Sequence, residues 1–131
     1  MRLCLAALLF VAACGTTSPP PKEAEPPPAT YEEEVSRAAK AVSELEKIVR
    51  YNPVNCSCPA FEVLLGQRWV RVQVDGADDP TSVAGVFRAR AKRDLANDKL
   101  ERYSVVGDLS ASGDYCAQGA LYLSLSVDAV R

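Results

Sequence analysis

The sequence contains no histidine, one methionine and one tryptophan, and it has no apolar run long enough to cross a bilayer. The missing histidine removes the commonest general base and the commonest neutral metal ligand of proteins. Charges nearly cancel, with 15 Lys and Arg against 17 Asp and Glu, so no strong preference for a charged partner is indicated. We therefore predict a non-enzymatic protein with no catalytic residue, no metal site and no cofactor.

The most informative stretch is the N-terminus, where Arg2 precedes an apolar run over residues 3–13 that ends at Cys14. An 11-residue helix rises only about 16 Å, which is short of the ~30 Å hydrocarbon core of a bilayer. The run closes on VAAC at residues 11–14, which resembles the lipobox of bacterial lipoproteins. An ordinary secretory signal without a lipid remains the alternative.

The lipoprotein resemblance implies a cleaved signal peptide over residues 1–13 and a diacylglyceryl group on the Cys14 thiol. The mature protein would then be lipid-anchored to a bacterial membrane on its extracytoplasmic side. Gly15 stands where an aspartate retains enteric lipoproteins in the inner membrane, so the resemblance favours the outer membrane.

The segment that follows Cys14 is rich in proline, with six prolines between residues 15 and 29. Proline favours the extended polyproline conformation, which rises about 3.1 Å per residue. Residues 14–29 are therefore predicted to be a tether that spans on the order of 45 Å.

Residues 30–52 are predicted to form one amphipathic helix. Thr30 is a candidate N-cap with Glu33 as the partner in a capping box, and Asn52-Pro53 ends the pattern. The apolar stripe consists of Tyr31, Val35, Ala38, Val42, Leu45 and Val49. Such a stripe packs either on the protein's own sheet or on a helix of another chain.

Residues 53–131 change to a period of two, which is typical of strands. Strands are predicted over 60–65, 68–75, 83–92, 100–106 and 121–127, although a helix over 89–95 remains an alternative. Gly66-Gln67 suits the type II′ turn of a two-residue hairpin.

The predicted fold class is α+β and mainly β, with the helix packed on a small antiparallel five-stranded sheet or a partial barrel. The strand count resembles that of an OB-fold, as do the glycines Gly66, Gly85 and Gly107 at places where strands would bend. The resemblance concerns layout alone and implies no binding residues.

Three cysteines remain in the folded part. In an oxidising compartment we predict a disulfide between Cys58 and Cys116, with Cys56 and Cys116 as the alternative pair. A redox pair, a three-thiolate metal site and a cysteine nucleophile are disfavoured. The spacing is not that of a thioredoxin-type site, a fourth ligand is missing, and there is no histidine to activate a thiol.

A possible ligand face combines Trp69 and Arg71 with Arg88 and Arg90, if these strands are neighbours. On an intracellular protein such a face would suggest single-stranded nucleic acid, but the extracytoplasmic address argues against it. Two functions remain. The first is a non-catalytic accessory subunit that binds an envelope protein, and the alternative is a module that binds cell-wall glycan or anionic lipid.

Overall fold

The computed structural model describes residues 30–54, 57–116, 119 and 121–131. The elements in chain order are α1 (Tyr31–Ala41), β1 (Lys47–Tyr51), β2 (Phe61–Leu65), β3 (Arg68–Val74), α2 (Val83–Ala96), β4 (Arg102–Tyr115) and β5 (Leu121–Val130). The strands close into a barrel in the order β1-β2-β3-β5-β4. The fold is thus mixed and mainly built of strands, as predicted.

The sheet is not entirely antiparallel, which corrects the prediction. Strands β3 and β5 run parallel, with Val72 opposite Leu123 and Val74 opposite Leu125, whereas the other four pairings are antiparallel. After β3 the chain forms α2 and then β4, which pairs with β1 on the side opposite to β2. The return strand β5 then fills the gap beside β3 and closes the barrel.

The hairpin of β2 and β3 confirms the prediction from period-two alternation. Val70, Val72 and Val74 are buried inside the barrel, and the alternate residues of β3 lie on its outer surface. Gly66 has a φ of +63°, while Gln67 does not have a positive φ, which agrees with a type II′ turn.

Among the described residues, the side chains that the strands bury inside the barrel are mainly apolar, with Lys47 at the start of β1 as the charged exception. The largest fully buried side chains are Phe87, Leu123, Leu125, Val49, Val63, Val72, Val74 and Val105. Leucines 121, 123 and 125 of β5 face inward, as their alternation predicts, and Val127 is partly buried beside them. Burial of these side chains contributes about 1.5–3 kcal/mol each and is the main stabilising term of the fold.

The predicted helix over residues 30–52 is only partly helical. The capping box is present, because the Glu33 amide donates to Thr30 Oγ1 over 3.3 Å and the Thr30 amide donates to Glu33 Oε2 over 3.0 Å. The helix ends at Ala41, however, and residues 47–51 form strand β1 between β2 and β4. The prediction of one helix over residues 30–52 is therefore wrong beyond Ala41, because Val49 is buried inside the barrel as part of a strand.

The predicted strand over residues 83–92 is wrong as well, because this segment forms helix α2. Ser82 caps the helix by accepting a hydrogen bond from the Gly85 amide over 2.9 Å. The buried residues Ala84, Phe87 and Ala91 are spaced by three and four, so they share one helix face.

Gly85 therefore lies in a helix and not at a bend in a strand. A Cβ atom at this position would come within 1.8 Å of the Asp79 carbonyl oxygen, so the loop before α2 can pack here only against glycine. Gly107 does lie in a strand, at a register shift between β4 and β5, where a Cβ atom would come within 1.8 Å of the Ser126 carbonyl oxygen.

The two helices close opposite ends of the barrel. Val35 of α1 is buried in the core and shares a groove with Leu65 at the end of β2. Phe87 of α2 contacts Phe61 at the start of the same strand, with ring centroids 5.0 Å apart, and Tyr103 at 5.1 Å. The outer surface of the strands is therefore the part of the barrel that neither helix covers.

Candidate functional site

A row of charged side chains crosses the outer surface of four strands. Arg102 of β4 is paired with Arg50 of β1, Arg50 with Glu62 of β2, and Glu62 with Arg71 of β3. Alternate residues of a strand share a face, so all four side chains lie on the outside of the barrel. We call these four residues and Trp69 the arginine–tryptophan face.

Trp69 of β3 is half-buried and lies within reach of two guanidinium groups. The Arg50 guanidinium carbon is 4.1 Å from the ring centroid, and that of Arg102 is 5.4 Å away. Both distances are in the range of cation–π attraction, which contributes about 0.5–1 kcal/mol at exposed sites. The indole therefore contacts two guanidinium groups, one from β1 and one from the neighbouring strand β4.

Glu62 holds the centre of the face. Its carboxylate accepts from Arg50 Nε over 2.6 Å and from Asn52 Nδ2 over 3.1 Å, and it lies 3.4 Å from Arg71 Nη2. The side chain of Glu62 is only 10% exposed, so its charge must be compensated by these partners.

Arg71 extends the network to the loop between β1 and β2. Its Nη1 donates to the carbonyl oxygens of Asn52 and Pro59, the latter over 3.2 Å. With its side chain only 16% exposed, Arg71 is fixed in place and has a structural part in holding this loop on the barrel.

A cleft of about 310 Å³ opens beside the face, at the end of β1 and the start of β4. It is lined by Arg50, Tyr51, Asn52, Leu100, Glu101 and Arg102. Leu100 is 85% exposed. The cleft thus combines two guanidinium groups with an apolar side chain and one carboxylate, and its size is at the lower end of the range of small-molecule sites.

The structure separates the four residues of the ligand face that the sequence suggested. Trp69 and Arg71 lie together on β3, but Arg88 and Arg90 belong to α2. Arg88 forms an ion pair with Asp78, and Arg90 lies 3.8 Å from Asp94. The prediction that all four share one sheet surface is wrong, because residues 83–92 are not a strand.

Sequence reasoning missed three residues of the face: Arg50, Glu62 and Arg102. Arg50 lies in the segment that the sequence predicts to be helical, and Glu62 and Arg102 belong to no recognisable motif. Only the closure of β1 on both β2 and β4 brings them together.

The cysteines in the described part of the chain form one disulfide, between Cys58 and Cys116, with their Cα atoms 4.8 Å apart. It joins the loop between β1 and β2 to the loop between β4 and β5. Cys56, in the alternative pairing, lies outside the described residues, as do the signal peptide, Cys14 and the tether.

Lys47 is a buried cation at the other end of β1. Its side chain points into the barrel, and the residue is 3% exposed. Its ammonium donates to the carbonyl oxygens of Ser43 over 2.8 Å, Leu45 over 2.5 Å and Gly107 over 2.5 Å. Desolvation lowers the pKa of Lys47, and the charges of Asp108 and Asp128 oppose this shift.

Tyr103 of β4 is a second buried titratable group, with 2% of the residue exposed. Its hydroxyl donates to Asp94 Oδ2 over 2.7 Å. Burial raises the pKa of the phenol, and the hydrogen bond to Asp94 and the charge of that carboxylate add to the effect. The tyrosine therefore stays protonated and ties β4 to α2.

Within residues 30–54, 57–116, 119 and 121–131, no group of three or more Cys, Asp or Glu side chains is placed to hold a metal ion. No helix in this part of the chain is both long and apolar enough to cross a membrane.

Comparisons with known proteins found no family model, no curated protein and no solved structure that matches this chain.

Proposed function

We propose that this chain is a lipid-anchored protein of a bacterial envelope whose barrel binds an anionic glycan or lipid headgroup, without catalysis, on the arginine–tryptophan face. The anchor rests on the lipobox at residues 11–14, and the outer membrane is the favoured location. The observation that carries the binding function is the pair of guanidinium groups, Arg50 and Arg102, gathered on one tryptophan beside an open cleft.

The layout of the barrel supports this proposal. We propose an OB-like barrel because five strands close with β5 inserted between β3 and β4. Barrels of that class bind oligosaccharides and oligonucleotides on the surface of strands 2 and 3 and on the loops that follow strands 1 and 4. Here Trp69 and Arg71 lie on that surface, and the Cys58–Cys116 disulfide joins those two loops.

The electrostatics of the face favour an anionic ligand. In the described part of the chain, Arg102 has no carboxylate within ion-pair distance, whereas Glu62 is shared between Arg50 and Arg71. An exposed excess of positive charge beside an apolar leucine and an indole attracts an anion that also has an uncharged surface.

Binding can be followed by the fluorescence of Trp69, because it is the only tryptophan of the chain. The full-length lipoprotein in non-ionic detergent is titrated with dextran sulfate and with uncharged dextran. We expect a saturable change with dextran sulfate only, and at least a tenfold loss of affinity in Arg102→Glu.

Arg88→Glu is the matched control, since it makes the same change of charge on α2. We expect it to bind as the wild type does, apart from a small general effect of charge. Equal losses in both variants, or no response to dextran sulfate at all, would contradict binding at this face.

The lipid anchor and the cleavage of the signal peptide are tested separately, by intact mass spectrometry of protein extracted from native membranes. The expected mass is that of residues 14–131 plus acyl groups and minus two hydrogens for the disulfide. An unlipidated mass with another N-terminus would reduce the proposal to a secreted binding protein.

A second candidate function, an accessory subunit that binds an envelope protein, is favoured by an apolar groove on α2. Val83 and Val86 are 49% and 59% exposed, and they border a groove of about 290 Å³ together with Phe87 and Val130. Exposed apolar surface of this kind is typical of interaction sites. Co-purification of an envelope protein that is lost in Val86→Glu, with dextran sulfate binding unchanged, would favour this function.

A further inference from the structure

The arginine pair of the face is unfavourable for stability. Arg50 and Arg102 are directly opposite each other on β1 and β4. Like charges at directly opposed positions of a sheet destabilise it, and Glu62 compensates only one of the two. A sheet position that costs stability is typical of a functional site.

The two guanidinium groups also retain most of their hydrogen-bonding capacity. Arg50 uses its Nε for Glu62, which fixes the plane of the guanidinium and leaves both terminal nitrogens without a partner among the described residues. Arg102 makes no side-chain hydrogen bond to any residue that the structure describes. The pair therefore offers two planar donor groups, one of them fixed in orientation.

We infer that this pair binds a phosphodiester group, such as that of a phosphate-linked glycan or of a phospholipid headgroup. This inference rests on the proposed function and specifies its ligand. The cleft lined by Leu100 and Tyr51 then holds the uncharged part of the ligand next to the phosphate.

The geometry favours phosphate over carboxylate. The oxygens of a carboxylate accept hydrogen bonds best from donors close to the carboxylate plane. The two non-bridging oxygens of a phosphodiester accept from donors all around the P–O bond, so they can accept from two guanidinium groups that come from different strands and need not share a plane. Arg50 and Arg102 start from separate strands and meet at one ring, which is the arrangement that a tetrahedral anion can satisfy.

The local charge favours a diester over a monoester. The face and its cleft carry three cations, Arg50, Arg71 and Arg102, and two carboxylates, Glu62 and Glu101. Three positive charges against two negative ones leave an excess of about one positive charge. A phosphodiester carries one negative charge, whereas a phosphomonoester carries about −1.5 to −2 at pH 7.

The inference is tested with the full-length lipoprotein in non-ionic detergent, by Trp69 fluorescence. The probes are glycerophosphoglycerol as the diester, glycerol 3-phosphate as the monoester, glucuronic acid as the carboxylate and glycerol as the neutral control. We expect glycerophosphoglycerol to bind at least tenfold more tightly than glucuronic acid and more tightly than the monoester, and glycerol not to bind.

Arg102→Gln should weaken the binding of glycerophosphoglycerol at least tenfold and should still fold, because it removes a like-charge contact. Arg102→Lys should recover only part of the affinity, since an ammonium lacks the planar donor group. Arg93→Gln, on the exposed surface of α2, is the matched control and should change affinity less than twofold.

A comparison of lipid nanodiscs with the soluble diester distinguishes a membrane headgroup from a phosphate-linked glycan as the source of the phosphodiester. Nanodiscs of phosphatidylglycerol that bind far more tightly than the soluble diester would identify a membrane headgroup, and equal affinity would identify a phosphate-linked glycan. Either result supports phosphodiester recognition.

A failure of the phosphodiester inference can be distinguished from a failure of the proposed function. If glucuronic acid or glycerol 3-phosphate binds as tightly as the diester, the inference is overturned while anionic-ligand binding stands. If none of these probes binds and dextran sulfate does not bind either, the proposed function fails with it.

Discussion

Two cations of strand β1, three residues apart, occupy opposite situations in the barrel. Lys47 points inward and donates to three backbone carbonyl oxygens, which equals the number of its N–H donors. Arg50 points outward and commits only its Nε to Glu62. Charge alone therefore does not distinguish a cation that holds the fold together from one that can bind a ligand. The difference is how many of its N–H donors already have a partner within the protein.

The largest effect is expected from Lys47→Met, which tests the structural side of the comparison. The substitution keeps an unbranched apolar stem but leaves the carbonyls of Ser43, Leu45 and Gly107 without their donor. We expect the free energy of unfolding to fall by about 3 kcal/mol, because buried unpaired polar groups cost about 1–3 kcal/mol each. Urea unfolding followed by circular dichroism measures it.

Lys40→Met is the control for this prediction, because Lys40 is an exposed lysine at the end of α1. It should change stability by less than about 0.5 kcal/mol. A loss in Lys47→Met that is no greater than in the control would show that the carbonyl contacts contribute nothing to stability.

Glu62→Gln should have the next largest effect, since it weakens the anchor that fixes Arg50. It leaves Arg50 and Arg71 without a compensating charge at a position where the side chain is only 10% exposed. Removing one partner of a fully buried pair costs about 3–5 kcal/mol, and the partial exposure of Arg50 reduces this to about 2 kcal/mol. Thermal unfolding measures the change.

The matched substitution is Glu46→Gln, which breaks the exposed ion pair with Arg131. Pairs of that kind contribute 0 to about 1 kcal/mol. Similar losses in the two variants would mean that the Glu62 network is no stronger than a surface ion pair.

Arg102→Gln should have a smaller effect on stability, and one of opposite sign. It removes the like-charge neighbour of Arg50 but also the contact with Trp69, which at 5.4 Å is near the outer limit of cation–π attraction, so we expect a net gain of at most about 0.5 kcal/mol. Arg131→Gln, which removes an arginine from a favourable ion pair, should give no such gain. A clear loss of stability in Arg102→Gln, measured by urea unfolding, would show that this arginine has a structural role.

The smallest expected effect is a dependence of the unfolding free energy on pH. Only Lys47 of the two cations can contribute to it, because arginine does not titrate in proteins. The folded-state pKa of Lys47 is lowered, so between that value and 10.5 the unfolded chain binds more protons than the folded one. The free energy of unfolding therefore rises with pH in this window as far as Lys47 is concerned.

The difference in unfolding free energy between the wild type and Lys47→Met should consequently grow as the pH approaches 10.5. Measuring the difference cancels Tyr103, whose raised pKa acts in the opposite direction above pH 10. A difference that stays constant from pH 8 to 10.5 would mean that the Lys47 pKa is not lowered.

Much of the barrel could be predicted from the alternation of apolar and polar residues. The helix predicted beyond Ala41 and the strand predicted over residues 83–92 are both wrong because each segment fits a helical and a strand pattern at once. In β2, β3 and β5 every second residue is apolar, so only a strand buries them together. Residues 42–49 also fit a helical spacing, and only the tertiary need for Val49 inside the barrel selects the strand. In α2 the alternation of Phe87, Ala89 and Ala91 competed with the helical set of Ala84, Phe87 and Ala91, which is the one that the structure buries.

Only half of the arginine–tryptophan face could be predicted from the sequence. Trp69 and Arg71 share a strand, so their common face follows from the sequence. Arg50 and Arg102 are paired across strands that lie far apart in the chain, and no local pattern reports a pairing of that kind.

The closure of the barrel between β1 and β4 has a consequence for how a ligand would act on the whole molecule. The seam is short, with four residue pairs from Lys47 opposite Val105 to Arg50 opposite Arg102, and the arginine pair lies at its last rung. Any local opening of this seam separates the two guanidinium groups. A ligand that bridges them would therefore oppose this opening, and the rate of amide hydrogen exchange in β1 and β4 would fall in proportion to the fraction of protein without ligand.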